Sequence, residues 1–324
     1  MRLHRAAAIG ITTVVLGLTV APVQAANSTW TFRPGPVVLS AKTIGQPESE
    51  LTGTPDGSAI RLPDGRIRMY FSIANGAEFS GVGSAISTDG RRFTAEPGER
   101  VSPWKDGGFT NGVGSPFIYR LPTGEYRLYY ATNGGLGSST SADGLTFTKD
   151  PGMRLPKGVF TDAVSQAALF CSAIVPLPNA AYRMYCTQGV KTVQINAATL
   201  NDRAVFSATS TDLLDWTPEP GVRLGPGSSN RFDADHPTVL VSTPAGGVTL
   251  AYDRRRGAPG EWKVFGEFMA TSKDGLTFGK EIFTGIEGSE PTYVPINAKS
   301  GFLYYGKFSP ERGSTISVGK AKRS

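Results

Sequence analysis

A short phrase that occurs four times along the chain constrains its architecture more than any other feature. The phrase is Ser-x-Asp, usually followed by Gly, with an aromatic residue four positions after the Asp. Its acidic residues are Asp89, Asp143, Asp212 and Asp274. They lie 54, 69 and 62 positions apart, which is too far for a helical solenoid and suits units of four short strands with their loops. The repeat therefore predicts a row of consecutive small sheets.

A hairpin signal precedes each phrase and also occurs once more near the C-terminus. In the clearest example the turn sequence Leu62–Gly65 is followed by the strand sequence Ile67–Tyr70. Proline presets the backbone of such a turn and glycine supplies a positive φ, so each signal is typical of two adjacent antiparallel strands. Related signals occur at 121–129, 177–185, 244–250 and 299–304. Five hairpins predict an all-β fold, a five-bladed β-propeller.

The N-terminal region supplies the strand that the last blade lacks. A polar stretch with a Pro-Gly turn follows each of the first three phrases, and Trp30–Gly35 resembles this stretch without the strands that precede it. We predict that this strand completes the last blade and hides an otherwise open sheet edge. The 40 Gly and 23 Pro residues fit many short strands and turns. One propeller domain is expected over residues 26–324.

Residues 1–25 have the pattern of a signal peptide. Arg2 and Arg5 precede an apolar run over Ala6–Val20, and small residues stand at the expected cleavage site. The alternative is an uncleaved anchor, although the run is short for a membrane span. We expect a secreted, extracellular protein without membrane association after cleavage.

The two cysteines flank the Pro178-Asn179 turn almost symmetrically. Cys171 and Cys186 are therefore expected near each other across one hairpin, where they can form a disulfide if their side chains share a face. Two buried free thiols are the alternative. The net charge of +6 is spread without a dense basic stripe, so we expect no nucleic-acid partner. We also expect a monomer.

Equivalent positions from the five blades should form a ring at one mouth of the central channel. Aligning the hairpins gives Asp56, Ser115, Cys171, His236 and Glu290 for blades 1 to 5. Blades 4, 5 and 1 are neighbours once the ring closes, so the carboxylates and the imidazole should converge there. Such a group in a concave mouth suits acid/base hydrolysis. Asp56, Glu290 and Asp235 are the predicted catalytic residues, with Ser115, Asp233 and His236 as predicted substrate contacts.

The segment Asp-x-Ser-x-Ile-Arg-Leu-Pro-Asp-Gly at 56–65, continued by Met69-Tyr70 and the closing Ser-x-Asp-Gly-x-x-Phe phrase, resembles the five-bladed propeller glycoside hydrolases. This group includes arabinanases, α-L-arabinofuranosidases and β-xylosidases, with the invertase-type enzymes as cousins. The resemblance covers essentially the whole mature chain. It implies a carbohydrate substrate, with arabinose- or xylose-containing sugars favoured, and no required cofactor.

The same resemblance suggests a role for each candidate. Asp56 matches the general base or nucleophile, Glu290 fits the acid, and Asp235 fits the carboxylate that tunes the acid. His236 would bind the sugar or a cation, and a structural calcium ion near the axis is compatible with the family. Three positions depart from the family pattern. Gly57 stands where proline is usual, Glu290 is on blade 5, and Cys171 occupies a position where an Asp is expected.

Several of these residues also have a purely structural interpretation. The four repeated Asp residues are expected to form turns, and Asp56 could be one more turn residue. Glu290 could be a solvated rim residue and His236 a satisfied polar group. Four tyrosines are expected to lie in the core of the sheets: Tyr70, Tyr129, Tyr185 and Tyr304.

Two other functions remain open. A sialidase-type enzyme is suggested by the Asp phrase and the Arg254–Arg256 cluster, although sialidases have six blades and gather three arginines from separate blades. A propeller that binds glycan or protein without turnover is the second alternative.

Overall fold

A computed structural model describes residues 29–45, 57–75, 78–102, 112–160, 169–195, 198–226, 231–256, 264–309 and 313–324. Over these ranges the chain forms five antiparallel sheets of four or five strands. The predicted five-bladed β-propeller is confirmed. The described ranges contain two short 3-10 turns, at Lys42–Ile44 and Pro178–Ala180, and no α-helix. Accordingly, no helix among these residues has the length and apolarity that a membrane crossing requires.

Each blade is a run of consecutive strands, apart from two strands at the N-terminus. These are β1 (Trp30–Arg33) and β2 (Val37–Leu39). Blade 1 contains β3 (Gly57–Arg61), β4 (Ile67–Asn75), β5 (Glu78–Ser87) and β6 (Thr94–Val101). Blade 2 contains β7 (Gly114–Arg120), β8 (Tyr126–Thr132), β9 (Gly135–Ser141), β10 (Thr148–Lys149) and β11 (Leu155–Pro156).

The remaining three blades follow the same order from the axis outward. Blade 3 contains β12 (Phe170–Pro176), β13 (Tyr182–Ile195), β14 (Ala198–Ser210) and β15 (Thr217–Leu224). Blade 4 contains β16 (Arg231–Ser242), β17 (Val248–Arg256), β18 (Val264–Ser272) and β19 (Ile282–Glu287). Blade 5 contains β20 (Ser289–Asn297), β21 (Ser300–Ser309) and β22 (Gly313–Arg323).

The N-terminal strand closes blade 5, as the sequence predicts. Strand β1 pairs antiparallel with β22, with Trp30 opposite Arg323 and Arg33 opposite Lys320, and β2 also pairs with β22. Trp30 is buried in a cluster with Leu240 of blade 4. The two ends of the described chain therefore meet in one sheet, and β1 covers the edge that β22 would otherwise expose.

The repeated Asp phrase forms a turn in each of the first four blades. In blade 4 the Asp274 carboxylate accepts N–H bonds from Leu276 at 2.8 Å and Thr277 at 2.9 Å, and Ser272 donates its hydroxyl to the same oxygen. These backbone bonds lower the pKa of Asp274 to about 2. Asp89, Asp143 and Asp212 accept equivalent N–H bonds. The turn-forming interpretation is confirmed for all four.

Each of these turns is held by a tyrosine from the preceding blade. Tyr185 donates its hydroxyl to the carbonyl of Gly275 at 3.0 Å. At Gly275 φ is 73°, and a Cβ atom would lie 2.6 Å from that hydroxyl, so glycine suits both the turn and the close approach. The same bond joins Tyr70 to Gly144, Tyr129 to Leu213 and Tyr304 to Gly90. The tyrosines are buried as predicted, and they also connect neighbouring blades.

A buried arginine pairs with an acid of the outer strand in four blades, which the sequence analysis did not predict. The pairs are Arg68 with Glu96, Arg127 with Asp150, Arg183 with Glu219, and Arg254 with Glu281. In the first three pairs the acid directly precedes the Pro-Gly turn, and the arginine stands two residues before the core tyrosine. These three ion pairs could therefore have been predicted from the sequence, because the acid before the Pro-Gly turn and the arginine before the core tyrosine recur together.

Hydroxyl side chains link the innermost strands around the axis. Ser58 accepts the Ile118 N–H at 3.1 Å, and Thr238 accepts the Tyr293 N–H at 3.0 Å. Ser172 donates to the Pro237 carbonyl at 2.8 Å, and Thr292 accepts the Ala59 N–H at 3.4 Å. These bonds fix the innermost strands relative to one another, and those strands carry the candidate site.

The cysteines form the disulfide expected from their positions. Cys171 on β12 lies directly opposite Cys186 on β13, and their sulfur atoms are bonded. Both residues are buried in the apolar cluster between blades 2 and 3, together with Tyr129, Leu136 and Met184. Fully burying one apolar side chain stabilises a fold by about 1.5–3 kcal/mol. This cluster combines residues of two blades, so the core lies mainly between adjacent blades.

Candidate functional site

Residues of the innermost strands gather at one mouth of the propeller; they lie at the strand starts in blades 1, 2, 3 and 5, and at His236 within β16 in blade 4. A cavity at this mouth is lined by residues from every blade, among them Gly57, Ser115, Cys171, His236 and Glu290. The ring positions inferred by aligning the hairpins therefore lie together in blades 2 to 5. Asp56 is outside the described residues, and Gly57, which follows it in the chain, lines the mouth.

A local backbone irregularity sets three of these residues apart from their strands. Ser115, His236 and Glu290 have φ values of 48°, 42° and 56°, and each is followed by proline. Each also lies where the pairing with the next strand shifts register. Such bulges redirect side chains and are common beside functional sites. The X-Pro pair at a bulge of an innermost strand is thus a sequence signal for this mouth.

Glu290 and His236 come from adjacent blades and lie close together. Nδ1 of His236 is 4.0 Å from Oε1 of Glu290. The imidazole stacks on Phe170 of blade 3, with ring centres 4.4 Å apart and planes 11° apart. Glu290 is 6% exposed and His236 is 8% exposed. The interpretation of Glu290 as a solvated rim residue is therefore wrong.

Asp235 supports this pair from directly beside it. Its Oδ1 accepts the backbone N–H of His236 at 2.9 Å and lies 3.2 Å from Nδ1 of the imidazole. Its Oδ2 accepts a hydrogen bond from the Arg203 guanidinium of blade 3. Burial by itself raises the pKa of Asp235, but Arg203 and His236 outweigh it and hold the pKa below its usual range. Asp235 is therefore an anionic support for the imidazole.

Asp233 is buried within an ion-pair network behind the mouth. Its carboxylate lies 2.7 Å from Nε of Arg255 and accepts the Arg203 N–H at 3.0 Å. Burial raises the pKa of Asp233 to about 7, although the Arg255 charge acts in the opposite direction. The sequence predicts that Asp233 contacts the sugar. The contacts of its carboxylate instead favour a role in positioning Arg203.

Two buried acids that the sequence analysis missed belong to the same region. Asp253 accepts the Glu290 N–H on Oδ1 at 3.2 Å, and this oxygen is 3.7 Å from Nδ1 of His236. Glu267 lies directly opposite Asp253 on the next strand. A signal for Asp253 exists, because it follows the core tyrosine of its blade. At that position the other blades have Phe71, Tyr130, Cys186 and Tyr305.

The arginine cluster does not form a sialidase-like group. Arg254 pairs with Glu281 at 2.6 Å, and Arg255 pairs with Asp233 at 2.7 Å, so both guanidinium groups hold blade 4 together. The five sheets of the described chain also differ from the six blades of that class. The sialidase alternative is not supported.

Among the described residues, one cluster near the axis offers metal-binding atoms. Asp235, His236 and Asp253 each offer one donor atom, and these atoms lie within 4.8 Å of one another. Calcium takes six to eight oxygen ligands, whereas this cluster has two carboxylates and one nitrogen, and Asp235 already bonds Arg203 and the His236 N–H. These three residues alone do not supply the ligands of a calcium ion.

Comparison with known proteins places this geometry among related folds. No protein-family model matches the chain, and no curated protein matches it. Many solved structures do match.

Three of these structures illustrate the similarity. A family 117 glycoside hydrolase from Zobellia galactanivorans is 15% identical, with a TM-score of 0.62 over 91% of this chain and 90% of that chain. A GH130 protein, from a family of mannoside phosphorylases with hydrolases that target β-1,2 mannosidic linkages in Candida mannan, is 18% identical, with a TM-score of 0.60 over 92% and 94%. A glycosyl hydrolase from Bacteroides ovatus is 20% identical, with a TM-score of 0.57 over 83% and 84%. The resemblance to propeller glycoside hydrolases is confirmed at the level of the fold.

Proposed function

We propose that this protein is a secreted glycoside hydrolase that cleaves an oligosaccharide or polysaccharide at the mouth formed by the innermost strands. Glu290 acts as the general acid, and Asp56 acts as the general base or as the nucleophile. Asp235 and His236 support Glu290. The structural neighbours named above act on glycosidic bonds, which favours this function over others that a propeller can host.

The observation that carries the proposal is the convergence of Glu290 and His236 at the mouth. Both are buried, come from adjacent blades and lie 4.0 Å apart. Hydroxyls of Ser115, Ser172 and Thr292 line the same cavity, as does Phe170. A sugar presents hydroxyl groups at its edges and an apolar face of C–H groups. A pocket with a few placed polar groups and an aromatic wall suits such a ligand.

The chemistry needs two carboxyl groups on opposite sides of the scissile bond. The acid protonates the leaving glycosidic oxygen while the second group either activates water or attacks the sugar. Glu290 is positioned for the first task because Asp253 holds its backbone N–H and His236 faces its carboxylate. Asp56 is assigned to the second task from the sequence.

The substrate class and the location rest on separate arguments. Arabinose- or xylose-containing sugars are favoured by the sequence resemblance, and β-1,2-linked mannosides are added because a structural neighbour targets them. Export is supported by the signal-peptide pattern of residues 1–25 and by the Cys171–Cys186 disulfide, since disulfides persist in oxidising compartments.

The test is hydrolysis by purified residues 26–324. The substrates are aryl α-L-arabinofuranosides, β-D-xylosides and β-D-mannosides, together with plant and fungal polysaccharides. Glu290→Gln and Asp56→Asn should each lower kcat by about 10²–10⁴-fold, the usual contribution of a positioned acid or base. Glu125→Gln, an exposed acid at a turn of blade 2, is the matched control. Unchanged turnover in Glu290→Gln, with melting temperatures equal in all variants, would contradict the proposal.

A binding propeller without turnover is the second candidate. It is favoured by one observation, that the carboxylates of Asp233 and Asp235 are already occupied by arginines. Glycan-array binding by wild type that survives both Glu290→Gln and Asp56→Asn, in the absence of hydrolysis, would establish it.

A further inference from the structure

Three buried acids form a row across blade 4. Asp235 on β16 lies opposite Asp253 on β17, and Asp253 lies opposite Glu267 on β18. Asp235 has Arg203 as its cation. Asp253 faces His236. Glu267 is 0% exposed, and neither of its carboxyl oxygens has a hydrogen-bond partner among the described residues. The row thus ends in a carboxyl group far from solvent.

Among the described residues, the groups around Glu267 do not balance a negative charge there. Asp253 faces it from β17 with a charge of the same sign. Tyr305 of β21 is near enough that Glu267 contributes, after burial, to raising the tyrosine pKa. Lys307 stands over the Tyr305 ring, 5.6 Å from its centre, and is exposed. From β19, Thr284 donates only to the backbone carbonyl of Glu267.

Elementary electrostatics then determines which of Glu267 and Asp253 is protonated. A buried carboxylate without a counter-charge is strongly disfavoured, and a second buried carboxylate beside it disfavours its ionised form further. Burial and the neighbouring Asp253 raise the pKa of Glu267 well above its ordinary value. Asp253, by contrast, accepts the Glu290 N–H and lies 3.7 Å from His236. The proton therefore belongs on Glu267 and the charge on Asp253.

We propose that Glu267 stays protonated at neutral pH, so that the charge of this pair lies on Asp253, which faces His236 and accepts the Glu290 backbone N–H at the mouth. The importance of that charge for turnover rests on the proposed function, whereas the protonation of Glu267 does not. The test is chosen to separate the two.

Infrared spectroscopy reads the proton directly. Wild type at neutral pH should show the carbonyl stretch of a protonated carboxylic acid in the difference spectrum against Glu267→Gln. Asp233→Asn is the matched control, because Asp233 has a pKa near neutrality and contributes its own band. A Glu267→Gln difference spectrum that contains only carboxylate bands would overturn the proposal, whatever the protein hydrolyses.

Histidine NMR reads the charge on Asp253. His236 is the only histidine in residues 26–324, so its resonances are assigned without ambiguity. Asp253→Asn should lower the pH at which His236 titrates, because a nearby negative charge is removed. Glu267→Gln should leave that pH unchanged, because a neutral group replaces a neutral group. An equal decrease in both variants would mean that Glu267 is ionised.

Turnover then tests whether the charge on Asp253 matters. Asp253→Asn should lower kcat more than tenfold, because the charge that faces His236 is lost, whereas Glu267→Gln should leave kcat unchanged, because a neutral group replaces a neutral group. Equal kcat in wild type and in a folded Asp253→Asn variant would remove the link to turnover. If wild type hydrolyses no substrate, the proposed function fails while the infrared and NMR experiments still decide the protonation.

Discussion

Blades 3 and 4 place opposite kinds of side chain in the same row across their first three strands. In blade 3 the row is Cys171, Cys186 and Phe206, with the two cysteines bonded. In blade 4 the row contains three acids, Asp235, Asp253 and Glu267. One row is apolar and covalently linked, and the other is charged and needs cations from outside its own strands.

The two rows are not independent, because blade 3 supports the charged row of blade 4. Arg203, on β14 of blade 3, pairs with Asp235 and lies over the Phe170 ring. Phe170, on β12, stacks on His236. The blade that carries the apolar row therefore supplies both the cation beside Asp235 and the aromatic wall beside His236. The covalent row and the acidic row thus lie on adjacent blades, and the side chains of Arg203 and Phe170 connect them.

The largest effect is expected from removing the cation that joins the rows. Arg203→Met should lower the free energy of unfolding by about 3–5 kcal/mol at neutral pH, because Asp235 remains buried without its partner. Arg92→Met, in an exposed ion pair whose arginine side chain is 91% exposed, is the matched control and should cost less than about 0.5 kcal/mol. Urea denaturation of the two variants beside wild type measures both.

The pH dependence of that loss identifies its cause. The pKa of Asp235 is lowered in the folded protein, so its pairing contributes stability above the unfolded pKa of about 3.9, and the contribution disappears as pH falls through the folded value. The difference between wild type and Arg203→Met should therefore shrink below about pH 4. A loss that stays constant as the pH falls below about 4 would mean that Arg203 stabilises by packing on Phe170.

The covalent row should behave differently. Cys171→Ala with Cys186→Ala should lower the free energy of unfolding by about 3 kcal/mol, the value expected for a closed loop of this size. Neither group titrates in the disulfide, so the loss should be the same at neutral pH and below about pH 4. Denaturation of wild type with and without a reductant is the control. A loss that follows pH as in Arg203→Met would break the contrast between the blades.

The fold was predictable from the sequence because its signals are local and repeated. The turn acids, the Pro-Gly turns and the tyrosines recur at fixed offsets, so the number of blades could be predicted. The N-terminal tail resembles a fragment of the same unit, so the closure of blade 5 by β1 could be predicted as well. The ring at the mouth followed as well, since Ser115, His236 and Glu290 stand before prolines at equivalent positions.

The charged row was not predictable in the same way. Asp253 and Glu267 occur once each, in positions where other blades have aromatic or small residues, and only strand register brings them together. The partner of Asp235 is Arg203, 32 residues away on another blade. Sequence spacing within a repeat cannot reveal contacts that cross blades at a site that breaks the repeat.

The smallest effect concerns the joints on either side of blade 4. Tyr185→Phe removes the buried hydroxyl that blade 3 donates to Gly275 of blade 4, and it should cost about 1 kcal/mol because the carbonyl loses its donor. Tyr252→Phe is the matched control. Its hydroxyl donates within blade 4 to Glu281, which keeps its ion pair with Arg254.

Thermal melting of both variants measures the difference, with Tyr185→Phe expected to melt at the lower temperature. Equal shifts would mean that the tyrosine bonds stabilise each sheet and not the joint between sheets. A larger shift for Tyr185→Phe would support the view that blade 4 is held from the blade 3 side, by Tyr185 at the turn and by Arg203 near the mouth. Its acids can then remain in an arrangement that its own strands do not neutralise.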